Sequence, residues 1–172
     1  MTNESIIMNA AVSDGMPERL SAFIVAQSKH ETGNYSHRFF KTGKNAFGYA
    51  YVKGSKWQLP KGGSLADNGI PIAQYTSVEN SVHELTSWIK RRQREGKFPK
   101  DLTTITTPLQ YATLLKKSGY YGDTLQNYVK GLTNALTSIP SVVYKVARVT
   151  PIFSIVLIVS VLFIVYQLTI KK

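Results

Sequence analysis

The chain has 172 residues, 43% of them hydrophobic and 18% charged, enough for one folded domain with an appendage and unlike a disordered chain. It has no cysteine, which excludes disulfides, thiol nucleophiles and cysteine-ligated metals. A formal net charge of +11, from 21 Lys and Arg against 10 Asp and Glu, favours a polyanionic partner and leaves few candidates for an acid catalyst.

Residues 1–16 have neither a basic start nor a long apolar run, so they read as a flexible N-terminal arm without a secretory signal. Residues 17–32 read as a helix, with Pro17 in the first turn, Leu20, Phe23, Ile24 and Gln27 at helical spacing, and Gly33 as the stop. Glu31 then sits in the last turn, where the negative end of the helix disfavours an ionised carboxylate. Residues 34–75 are rich in Gly, Asn, Tyr and Lys and read as short strands and loops, the material of a binding wall. Residues 77–95 read as a second helix with Val78, Val82, Leu85, Trp88 and Ile89 inward and Thr76 and Glu79 at capping-box spacing. It ends in the basic run 90–94, which either complements the helix dipole or binds an anion. Thr107 and Pro108 open a third helix with Leu109, Ala112 and Leu115 inward and Gly119 as its stop. Asp123 caps a fourth, with Leu125, Tyr128, Val129, Leu132 and Leu136 inward. Pro140 begins a basic juxtamembrane linker, residues 140–150. Residues 152–170 carry no charge, and 19 residues at about 1.5 Å each cross the roughly 30 Å hydrocarbon core of a bilayer. Pro151 suits the entry of that helix, and Lys171 and Lys172 close it. Lys145 and Arg148 on the other flank leave its orientation open.

Four short patterns stand in a telling order: Glu31-Thr32-Gly33 at a helix end, Asn45-Ala46-Phe47-Gly48, Tyr75-Thr76-Ser77 through Ser81, and Tyr111-Ala112 through Gly119-Tyr120. Together they resemble the bacterial and phage glucosaminidase family of peptidoglycan hydrolases (glycoside hydrolase family 73-like, including flagellar enzymes) over roughly residues 20–132. The resemblance implies an α+β, lysozyme-like fold, mainly helical with a small β or loop lobe, over residues 17–139. It implies that Glu31 is the catalytic acid, that Asn45, Phe47 and Gly48 line the groove, and that Tyr75 lies near the scissile bond. Such chemistry calls for a carboxylic acid that is still protonated near neutral pH and, in the common schemes, a second carboxyl group. Candidates for the second are Asp67, which reads equally as a turn residue, and Glu79, which reads equally as a capping residue. If neither reaches the bond, the substrate N-acetyl group or a transglycosylase route through Glu31 alone remains.

Tyr49, Tyr51 and Trp57 are candidates to stack on sugar rings or to pack the small lobe, whereas Trp88 reads as core. His30, His37 and His83 lack zinc-ligand spacing, so neither a metal nor a cofactor is expected. Aromatics do not interleave with the basic run, which disfavours nucleic acid. The expected partners are peptidoglycan strands, a bilayer through residues 152–170, and other membrane or virion proteins. A wall hydrolase with a tail anchor and no export signal fits the membrane of a bacteriophage virion. A host inner-membrane remodelling enzyme and a non-catalytic wall-binding or structural membrane protein are the alternatives.

Overall fold

The computed structural model describes residues 1–66 and 69–139. The linker and membrane span expected over 140–172 lie outside the described residues, as does Asp67. No helix among the described residues is long and apolar enough to cross a membrane.

Among the described residues, six α-helices and one 3-10 turn follow in the order α1 Asn3–Ser13, α2 Glu18–Glu31, α3 Arg38–Gly43, α4 Val78–Arg94, the turn Leu102–Thr104, α5 Pro108–Lys117 and α6 Leu125–Thr137. The hub is α2. Ten consecutive residues, Leu20 to Lys29, are buried, so the helix is enclosed on every side. It packs against α1, α5 and α6, while α4 lies across α1. Enclosing a helix brings its polar residues inside, where each needs a partner. Lys29 Nζ meets Glu4 of α1 at 3.0 Å, and the Tyr111 hydroxyl of α5 donates to Gln27 Oε1 at 2.6 Å.

The expectation of a flexible arm over residues 1–16 is overturned. Thr2 caps α1 by accepting from the Ser5 amide, and Gly15, at φ +82°, ends it in the left-handed conformation. Ile7, Ala10, Ala11 and Met16 are buried in the common core. This short helix has a weak amphipathic pattern, and its stability comes from the surfaces of α2 and α4 that cover it. Asp14 at its C-terminus fastens it to α4, accepting from Thr86 Oγ1 and pairing with His83 Nδ1 at 2.7 Å.

The strands expected between residues 34 and 75 also do not form. That segment contains α3 and a loop lobe with two isolated antiparallel bridges, Ala50 with Ile72 and Leu65 with Pro71. The described residues are therefore mainly helical and not α+β in the sense expected. Gly and Pro at 60, 62, 63, 69 and 71 interrupt any regular ladder. Side chains hold the lobe instead. Asn45, 1% exposed, donates from Nδ2 to the carbonyls of Tyr49 and Ala73 and accepts at Oδ1 from the amides of Phe47 and Tyr49. Gln58 donates to Ala50 O and accepts from the Val52 amide.

The later helices start close to where their caps predict. Thr107 and Gln110 form the capping box of α5, with Pro108 at its first position. On α4 the cap slips by one residue: Ser77 accepts from the Asn80 amide, and the Thr76–Glu79 box does not form. On α5 the inward face carries Tyr111, Ala112 and Leu115, while Leu109 is 54% exposed. On α6 Thr124 is the cap, and Asp123 accepts from its amide.

Candidate active site

Glu31 is the last residue of α2, and three elements converge on it. Tyr128 of α6, 97 residues away in sequence, donates its hydroxyl to Glu31 Oε1 at 2.8 Å. Gly48, with φ +66°, brings bare backbone next to the other oxygen: a Cβ built there would stand 3.8 Å from Glu31 Oε2. Tyr120, at the loop after α5, closes the far side and donates to the Phe47 carbonyl at 2.8 Å. The result is a pocket of about 490 Å³ lined by Glu31, Gly48, Tyr49, Trp88, Tyr120 and Tyr121, among others. Burial raises the Glu31 pKa above the usual carboxylate value, and the Tyr128 hydrogen bond partly opposes it.

Tyr128 is itself held firmly. Tyr121 stacks on it at 3.7 Å with the rings 5° from parallel, and His30 meets it edge-on at 5.1 Å. Burial lowers the His30 pKa, with Asp123 acting in the opposite direction. The neutral imidazole is thereby favoured beside Glu31. The next turn of α6 carries Gly131, where a Cβ would overlap the His30 ring. The small residue is what allows α2 and α6 to approach closely enough for the Tyr128–Glu31 bond.

A second pocket, also of about 490 Å³, adjoins the first through Tyr49 and Trp88, which line both. Its wall includes Trp57, Gln58, Glu84, Arg91 and Arg94. Glu84 binds the loop lobe to α4. It accepts from the Tyr75 hydroxyl at 2.6 Å, from Gln58 Nε2 at 3.0 Å and from Ser55 Oγ at 3.2 Å. Trp57 lies over the His83 ring, centroids 4.9 Å apart, with Lys56 Nζ 4.3 Å above its own ring. Together the two pockets form a groove between the helical body and the loop lobe, with a carboxylic acid at one end and aromatic and cationic side chains at the other.

The pattern of a known family spans residues 10–140: Glucosaminidase, described as mannosyl-glycoprotein endo-beta-N-acetylglucosaminidase. The chain belongs to the glucosaminidase family. It is a glycosidase, and its substrate class is peptidoglycan. Among solved structures it is similar to a chain in a type VI secretion system effector–immunity complex from Pseudomonas protegens, with a TM-score of 0.52 at 15% identity over 78% of this chain and 88% of that one. That likeness bears on the fold, which is consistent with a lysozyme-like arrangement. No match is found among curated proteins.

Within this glucosaminidase domain the expected site residues separate into three groups. Glu31, Gly48 and Tyr49 line the first pocket, and Tyr49 and Trp57 line the second. Phe47 reaches the first pocket but is 2% exposed and belongs to the core. Asn45 is buried, and all its amide contacts described above go to backbone, so it shapes the turn and does not face the groove. Tyr75 is 3% exposed with its hydroxyl committed to Glu84, behind the wall. Tyr51 turns to the Pro60 carbonyl at 2.6 Å, and without a strand it does not share a face with Tyr49. Glu79 stays in the first turn of α4 and lines neither pocket. Trp88, expected in the core, is half-buried and stands where the two pockets meet.

Tyr128, Tyr121, Glu84, Arg91 and Arg94 were not singled out for the site from sequence. Tyr121 directly follows the last pattern that carries the family resemblance, and Arg91 and Arg94 stand inside the basic run. Tyr128 and Glu84 had no local signal beyond helical spacing. Among the described residues no group of three His, Asp or Glu could hold a metal. His37 caps α3 through Nδ1, and His83 pairs with Asp14.

Proposed function

We propose that Glu31 is the general acid of a peptidoglycan glycosidase and protonates the leaving oxygen of a glycan strand lying in the groove. The observation that carries this reading is the state of its carboxyl group. Desolvation favours the protonated form, Tyr128 holds Oε1, and Oε2 is left beside Gly48 at the pocket to bear the transferable proton. Bare backbone at Gly48 gives the strand room, and the Tyr49 and Trp88 faces along the groove suit stacking on sugar rings. The family description favours cleavage at N-acetylglucosamine.

The test is digestion of purified peptidoglycan by the full-length protein beside Glu31→Gln, with products read by mass spectrometry. Loss of about 10² to 10⁴ in rate for a folded variant supports the acid role. The new reducing sugar tells a glucosaminidase from a muramidase, and an anhydro end reveals transglycosylation. A Glu31→Gln variant that cuts at the wild-type rate refutes the reading.

We also propose that residues 152–170 tether the enzyme to a bilayer, in a virion membrane or a bacterial inner membrane. The uncharged 19-residue run and its basic flanks support this. Full-length protein should pellet with membranes after alkaline carbonate washing. Co-purification with phage particles would favour the virion, and release by carbonate would refute the tether.

A further inference from the structure

We infer that the second pocket is an anion-holding subsite, in which Arg91 and Arg94 with Lys53 grip negatively charged substituents of the glycan strand while Trp57 and Trp88 pack against its sugars. The inference rests on the glycosidase reading of the groove and adds what the strand must carry.

Four observations lead to it. The second pocket adjoins the Glu31 pocket, with Tyr49 and Trp88 lining both, so it lies next to any strand bound at Glu31. Three cationic side chains line it against one carboxylate, Glu84. That carboxylate is already occupied by Tyr75, Gln58 and Ser55. The cations, in contrast, are available. Arg94 and Lys53 have no ion-pair partner among the described residues, and Arg91 reaches Glu95 only at 4.0 Å. Their neighbour Arg92 shows the alternative. It pairs with Glu95 through Nη1 at 2.7 Å and lies over Trp88, 5.2 Å from the ring centroid, outside the pocket wall.

Helical geometry explains the arrangement. Trp88, Arg91 and the flanking Ser87 and Arg94 fall at spacings of three and four, so they share one face of α4, the face turned to the loop lobe. Guanidinium groups beside an aromatic wall recognise carboxylates and phosphates in fixed geometry. Peptidoglycan strands offer carboxylates on their peptide stems, or on the lactyl ether where the stem is absent, and wall polymers attached to strands offer phosphodiesters. The chemistry shared by both is a monoanionic oxygen acid held to one side of the sugar chain.

The experiment uses full-length protein carrying Glu31→Gln, so that binding is read without cleavage. Its affinity for purified sacculi is measured by pelleting over a range of salt, with and without Arg91→Gln plus Arg94→Gln. The pair should weaken binding by about three- to tenfold at low salt and flatten the salt dependence. Lys90→Gln plus Lys117→Gln removes the same charge from exposed positions outside the pocket and should retain the affinity. Sacculi with carbodiimide-amidated carboxyl groups, and sacculi stripped of phosphodiesters by acid, identify the source. The treatment that removes the advantage of the intact arginines names the anion. Equal losses from the two lysine and two arginine changes, or an arginine advantage that survives both treatments, overturn the subsite. Because the readout is binding, an unexpectedly active Glu31→Gln protein would refute the acid assignment and leave this result standing.

Discussion

Replacing Gly131 by alanine tests the packing that builds the site. A Cβ at that position would have its three nearest neighbours, all atoms of the His30 ring, under 3.0 Å away. The ring has little room to withdraw, since it is wedged edge-on against Tyr128 at 5.1 Å. Forcing α2 and α6 apart costs about 2–3 kcal/mol as overpacking. In an ordinary helix interior the same change would stabilise by about 1 kcal/mol, because alanine is the better helix former. The net expectation is a loss of about 1–2 kcal/mol, or about 4–8 °C in Tm for a domain of this size. Thermal unfolding followed by circular dichroism measures it. Repeating the change in a His30→Ala background removes the obstacle, and Gly131→Ala should then raise Tm by a few degrees. Activity should follow the same logic, falling in the single variant as Tyr128 is pulled from Glu31. Equal effects of Gly131→Ala in the two backgrounds would refute the argument that the ring sets the helix spacing.

Other outcomes follow from the same contacts. The Glu31 pKa is raised in the folded protein, so as pH rises the unfolded chain ionises first and the folded state is penalised. Glu31→Gln should therefore raise Tm at neutral pH, with the gain vanishing below the unfolded carboxyl pKa, as a pH series of melting curves would show. Tyr128→Phe removes the hydrogen bond that lowers the Glu31 pKa, so the alkaline limb of the kcat profile should move to higher pH. Glu84→Ala strands the Tyr75 hydroxyl, in a residue 3% exposed, and leaves Gln58 Nε2 only the Ala50 carbonyl, and should cost about 2 kcal/mol in urea unfolding. Tyr49→Phe should raise stability by about 1 kcal/mol in urea unfolding, because it removes a hydroxyl that is buried with no partner among the described residues.

Much of the scaffold was legible in the chain itself. Proline and threonine caps placed α5 within a residue, because capping is a local exchange between one side chain and one exposed amide. Gly33 and Gly119 marked helix ends for the same local reason, each adopting positive φ. The helix-end position of Glu31, and its place in an ordered set of patterns, singled it out from ten acidic residues. What failed was whatever depended on a distant surface. The helix at α1 exists because α2 and α4 cover it, and nothing within residues 1–16 announces those partners. The expected strands became loops because Asn45 and Gln58 supply the hydrogen bonds a ladder would have made. Only tertiary structure could pair Glu31 with Tyr128 or set Glu84 beneath Tyr75 and Gln58, since hydrogen bonds between remote side chains leave no periodicity in the sequence. The sequence by itself determined α2, α4, α5 and α6 to within a few residues and singled out Glu31 as the candidate acid; the packing of α6 and the loop lobe around that carboxyl group decided its burial, its partners and the course of the groove, because desolvation and long-range contacts exist only once the chain has closed on itself.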